Sequence, residues 1–145
     1  MANKYDIARY ILEQRKEMTA MKLQKLMFYC QAWSLVWNEE PLFPDDFQAW
    51  ENGPVLPGLY QSHRGMFKVS PDTFLTQADS TNVNAREIDV IDRVLDFYGD
   101  KSAQWLSNLT HQEAPWLSAR GDVAAGERSE AVISQASMAE YYDSL

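Results

Sequence analysis

The chain has one cysteine, Cys30, and two histidines, His63 and His111, among 145 residues. A single thiol excludes an intrachain disulfide and a cysteine-held zinc or iron–sulfur centre. The two histidines lack the paired spacing on one helix face by which zinc proteases hold their metal. Cations are also scarce, with 13 Lys and Arg against 21 Asp and Glu and a net charge of −8. Binding nucleic acid through its phosphates requires a basic face, so nucleic acid is not the expected partner. The amino terminus, Met1-Ala2-Asn3-Lys4-Tyr5-Asp6, is polar, and no apolar run is long enough for a signal peptide or a membrane span. A cytoplasmic location without membrane contact is the expectation. A glycine-rich phosphate loop is missing as well: Gly53-Pro54-Val55-Leu56-Pro57-Gly58 puts prolines where free backbone N–H groups would be needed, and reads as rigid scaffolding. No cofactor is expected.

What the chain does have is apolar material, 46% of its residues, with 12% aromatic. That suffices for one domain over residues 1–145 with its own core and no covalent or metal staple. Asn3 stands where it can cap a first helix carrying Ile7, Ala8, Ile11 and Leu12. Thr19, flanked by a Met18 and Leu23 staple, opens a second helix that runs to about Trp37. Leu23, Leu26, Met27, Cys30, Trp33 and Trp37 form one stripe of it, with Phe28, Ala32, Leu35 and Val36 beside them. A helix apolar over most of its circumference belongs at the centre of a fold. Between Pro41 and Pro71, prolines and glycines break the pattern; Phe47 to Trp50 alternates like a short strand, and Val55 to Arg64 can form a proline-started helix. Asn84 with Glu87 makes a capping box for a helix ending at Gly99; Ser102 and Ser134 cap two more, and Thr110 with Glu113 repeats the box pattern before Trp116. Gly121 to Glu130 is the expected mobile loop. The fold class is therefore mainly α, five to six helices around a central buried helix over about 20–37, with at most a small β element near Phe47 to Trp50 or Phe67 to Thr76.

Few residues invite chemistry. Cys30 lies on the apolar stripe and reads as packing. His111, next to the Thr110 to Glu113 box, reads as a hydrogen bond that fixes the turn before Trp116. Asp45-Asp46 and Glu39-Glu40 read as solvated loop charge. Lys22 and Lys25, three apart, read as lysines on the outer side of the central helix that can line a small groove. Trp33 and Trp37 are core by spacing, whereas Trp50 and Trp116 stand in turn-rich segments, as core lids or as partner anchors. The absence of a visible catalytic set points to a binding module.

Several stretches carry a family likeness: Met18-Thr19-Ala20-Met21-Lys22-Leu23-Gln24-Lys25-Leu26-Met27-Phe28-Tyr29, then Trp50-Glu51-Asn52-Gly53-Pro54-Val55, then Thr110-His111-Gln112-Glu113-Ala114-Pro115-Trp116. In this order and spacing the chain resembles the Panacea domain family of SocA-like antitoxins and GepA-like phage-associated proteins. The resemblance implies an antitoxin of a toxin–antitoxin pair that neutralises a cognate toxin by direct contact. It implies motif positions at Lys22, Lys25, Trp50, Asn52, Gly53, Pro54, His111 and Trp116. The added DNA-binding segment of some relatives is not expected, because the resemblance fills nearly the whole chain. Partner contact is expected on Pro41 to Tyr60, with Trp50 and Tyr60 as anchors, and on the Gly121 to Glu130 loop; self-association is left open. The alternatives are a prophage-associated hydrolase using Lys25, Asn52, His111 and Glu113, or a DNA-binding regulator.

Overall fold

Asn3, Thr19, Asn84, Ser102 and Ser134 each accept a hydrogen bond from a backbone N–H in the turn that follows, and each begins a helix. The computed structural model describes residues 2–145. Its α-helices are α1 (Lys4–Arg15), α2 (Ala20–Trp37), α3 (Pro57–His63), α4 (Ala85–Tyr98), α5 (Ala103–Thr110), α6 (Ala114–Arg120) and α7 (Gln135–Asp143). The fold is mainly α, as the sequence implies. Seven helices replace the expected five to six, and the short α3 and α6 each carry a proline in the first turn.

Strands β1 (Met18–Thr19) and β4 (Lys68–Val69) pair antiparallel, with Met18 opposite Val69. Strands β2 (Phe47–Trp50), β3 (Gly53–Val55) and β5 (Val132–Ile133) form a second antiparallel sheet with β2 in the middle. Trp50 faces Gly53 across the β2–β3 hairpin, and Phe47 faces Ile133. Neither hairpin residue, Glu51 or Asn52, has a positive φ; that step falls on Gly53, at +118°. Both places named for a small β element thus hold one.

Helix α2 is the centre, packed against α4, α7, α5, β3 and α1. Every residue from Leu23 to Ala32 is buried. Tyr29 stacks on Tyr98 with ring centroids 4.2 Å apart, and Phe28 meets Tyr29, Phe47 and Tyr142 edge-on. Cys30 is buried, and desolvation holds its thiol well above the usual range, as a packing residue requires. Burial falls away over the last turn of α2, which corrects one expectation: Trp37 is 42% exposed and is not core. It stacks on the half-buried Trp33, whose Nε1 donates to the Tyr98 hydroxyl at 3.1 Å, while the Arg93 guanidinium covers its ring.

The proline-broken segment, where partner contact is expected, also contributes to the core: Leu42, Phe43, Phe47, Val55, Leu56 and Leu59 are buried. Gln31 explains the anchorage of its first part: the amide accepts from Leu42 N–H at 2.8 Å and donates to the Phe43 carbonyl at 2.9 Å, so a polar group inside α2 replaces the missing ladder. Asp45 is not free loop charge either, because Lys4 Nζ lies 3.0 Å from it; Glu39, Glu40 and Asp46 are exposed as expected.

Candidate functional site: a clamped hairpin beside a cleft

Gln24 and Lys25 lie inside α2, and both reach the hairpin side of the fold. Gln24 Oε1 accepts from Leu56 N–H at 2.9 Å, so its amide nitrogen is the end that faces His63 Nε2, also at 2.9 Å. That nitrogen donates, which makes His63 Nε2 the acceptor and places the imidazole proton on Nδ1. Lys25 is fully buried, and its Nζ donates to the Pro54 carbonyl at 3.3 Å. Burial lowers its amine to about 7. Lys25 is thus a core residue, contrary to the placement on the outer side of the helix. The reason lies in the periodicity: Lys25 shares a face with Phe28, Tyr29 and Ala32, all buried.

The hairpin is held from its other side by four successive carbonyls. Those of Ala49, Trp50, Glu51 and Asn52 accept from Arg120 Nη1 at 2.9 Å, Trp116 Nε1 at 2.8 Å, His111 Nε2 at 2.9 Å and Ser107 Oγ at 2.7 Å. The order runs backward along α6 and α5 as it runs forward along the hairpin. Because a carbonyl only accepts, His111 Nε2 carries a proton. His111 also packs on Trp116, ring centroids 4.2 Å apart. It therefore fixes a turn, as expected, but the turn is Glu51–Asn52 rather than the one before Trp116. Burial lowers the pKa of both His63 and His111, with Lys25 adding to the effect.

In front of these groups lies a cleft of about 600 Å³. Lys25, Asn52, Tyr60, His63 and His111 line it, together with Thr19, Met21, Met66, Phe67 and Ser107. Tyr60 is shared with a neighbouring depression formed by Trp50, Glu51, Arg128, Ser129 and Glu130, and its ring meets Trp50 edge-on at 5.0 Å. Of Lys22, Lys25, Trp50, Asn52, Tyr60, His111 and Trp116, the side chains expected from the sequence to meet a partner, the structure gathers Lys25, Asn52, Tyr60 and His111 in the cleft and places Trp50 next to it. Trp116 is buried behind the hairpin as a structural donor. Lys22 lies outside the cleft, in the field of Arg15 and Asp100.

Sequence reasoning missed His63, Gln24 and the real roles of Glu113 and Arg120. Glu113 makes no capping bond to α6; its Oε1 accepts from Tyr29 at 2.6 Å and from Tyr142 at 2.7 Å, inside the core. The Thr110–Glu113 capping box does not form because Thr110 belongs to α5 and its hydroxyl bonds back to the Ser107 carbonyl. Burial pushes the Glu113 carboxyl up, against the two tyrosine bonds that pull it down. Arg120, 4% exposed, holds the Ala124 and Glu127 carbonyls as well as Ala49 and stacks over Trp116. The Gly121 to Glu130 segment, expected to be a free loop, is thus tied to the hairpin by one side chain. Gln24 was findable, since a polar residue within a helix apolar all round must carry a partner. Among the described residues, no three His, Cys, Asp or Glu side chains converge as a metal site. No described helix is long and apolar enough to cross a membrane.

These features define a mainly helical protein built around a clamped hairpin with a cleft at its side. The family model described as antitoxin SocA-like, Panacea domain, matches residues 23–117, and the chain belongs to that family. The matched stretch takes in α2 from Leu23 onward, the hairpin, α5 and the first half of α6, and leaves Arg120 outside it. No curated protein and no solved structure matches the chain.

Proposed function

We propose that this protein is an antitoxin that neutralises a cognate toxin by direct contact, and that the contact is centred on the face formed by Trp50, Tyr60 and the Arg128–Glu130 strip. Membership of the SocA-like antitoxin family supports a protein partner. The observation that carries the choice of face is that two segments far apart in sequence, the hairpin with α3 and the loop before β5, come together around the Trp50–Tyr60 pair. Both rings are half-buried, so each keeps a face for a partner while its base is held rigidly. A pre-held aromatic loses little rotamer freedom on association, which is the property of interface anchors. A standard interface of about 1,600 Å² in total would extend from these rings over the cleft rim. The net charge of −8 favours a partner with a basic patch and speeds encounter at low salt.

We read binding rather than turnover from the same geometry. The hydrolase alternative asks Lys25, Asn52, His111 and Glu113 to act together, yet Glu113 is spent on two tyrosines in the core while the other three border the cleft. The test is co-expression with the protein encoded by the adjacent reading frame. The expected result is that the adjacent frame's protein alone arrests growth, that the present chain restores it, and that Trp50→Ala combined with Tyr60→Ala removes the rescue in a chain that still folds. A neighbour harmless on its own, or undiminished rescue by the double variant, contradicts the reading.

A further inference from the structure

Lys25 is a buried amine with no carboxylate beside it. It takes part in none of the ion pairs among the described residues, and its single hydrogen bond, 3.3 Å to Pro54, is long for a charged donor. An ammonium has three N–H donors, so two are left over. The neighbouring imidazoles have their Nε2 atoms engaged, His63 by Gln24 and His111 by Glu51. The chain holds 21 Asp and Glu, yet none lines the cleft that Lys25 borders. Met21, Tyr60, Met66 and Phe67 supply much of the apolar lining of the cleft, beside the uncharged polar side chains of Thr19, Asn52, Gln104 and Ser107. Its volume of about 600 Å³ falls in the range of small-molecule sites, roughly 300–1,000 Å³.

We propose that this cleft binds a small organic monocarboxylate with an apolar body, its carboxylate paired with the Lys25 ammonium and its body laid along Met21, Met66 and Phe67. Two free donors on one nitrogen suit a group with two oxygens and one charge. A phosphate dianion is a poorer match, because the cleft supplies one lysine and two histidines that burial keeps neutral. A buried amine with donors to spare and no carboxylate beside it is the group that a bound carboxylate would satisfy. The inference rests on the cleft and stands whether or not the Trp50 face binds a toxin.

Proton linkage makes the inference quantitative. The groups that face Lys25 are His63 from α3, His111 at the end of α5 and the Thr110 hydroxyl, and no carboxylate is among them. With its amine at about 7, Lys25 must take up a proton to pair with a carboxylate above that pH. Affinity therefore falls as pH rises, approaching tenfold for each pH unit above about 7. Both histidines stay neutral over that range.

The experiment titrates the full chain with benzoate, with benzyl alcohol as a neutral shape match and with inorganic phosphate, at pH 6.5 and 8.5, following amide shifts by NMR. Benzoate is expected to bind at least tenfold more tightly than benzyl alcohol at pH 6.5, and that preference should shrink by at least tenfold at pH 8.5. Lys25→Met, folded and at least as heat-stable as the parent, should lose the preference entirely. Equal affinity for benzoate and benzyl alcohol, no benzoate binding, tighter binding of phosphate, or an undiminished preference in Lys25→Met overturns the proposal. If Lys25→Met does not fold, the ¹³Cε signal of Lys25 in the parent decides. Benzoate should raise the proton affinity of that amine at least tenfold, and an unmoved titration overturns the site.

Discussion

Gly53 and Lys25 compete for one space: a Cβ on Gly53 would overlap Lys25 Cε and lie 3.0 Å from Thr110 Oγ1. The lysine stem runs under the hairpin where a glycine at φ +118° leaves room. Two of the stretches that carry the family likeness therefore meet at this contact, and the third closes over them through the His111 and Trp116 bonds to Glu51 and Trp50.

Gly53→Ala is expected to lower stability by about 2–4 kcal/mol, combining a backbone conformation that L-residues rarely adopt with a core overlap. Urea unfolding measures the loss. Adding Lys25→Ala to it should recover part of the difference, since the overlap is with that side chain. An alanine variant as stable as the parent would show that the slot is not tight.

Glu113 gives stability a signed pH dependence. Its carboxyl titrates above the usual carboxylate range in the folded chain, so the folded state holds the proton more firmly than the unfolded one. This contribution is fully present below the unfolded value, near pH 4.5, and is lost as pH rises through the folded one. Glu113→Gln keeps an acceptor for the Tyr29 and Tyr142 hydroxyls and should flatten the slope above pH 4.5. Glu113→Ala, which strands both hydroxyls, should cost about 2–5 kcal/mol. An unchanged slope in Glu113→Gln contradicts the assignment.

Much of this fold was legible. The five polar caps fix helix starts because their bonds are local, made three residues away at most. Central α2 was legible from its all-round apolar surface. What was hidden depends on contacts distant in sequence. Lys25 looked solvated because lysine usually is, although the i+3, i+4 and i+7 positions after it are Phe28, Tyr29 and Ala32. The Glu113 pairing needs Tyr29 and Tyr142, at separations no local pattern encodes, and the Thr110–Glu113 box mimicked a cap. The motif residues His111 and Trp116 were visible, but their role was not, because donors aimed at backbone carbonyls leave no trace in the acceptor's sequence.

Arg120 should control the order of the 121–130 segment. Lysine cannot span the Ala49, Ala124 and Glu127 carbonyls at once, so Arg120→Lys is expected to lose about 2 kcal/mol or more. Limited proteolysis should then cut within that segment at a rate well above the parent's. Equal cutting rates would show that the loop is held by something else.

Hydrogen exchange of the protein with and without the adjacent reading frame's product, taken as its toxin, tests the central claim most directly. Slowed exchange is predicted at Trp50 to Asn52, around Tyr60 and from Arg128 to Glu130, which meet on one face of the fold. Protection confined to the outer face of α4, with those segments unchanged, would contradict it.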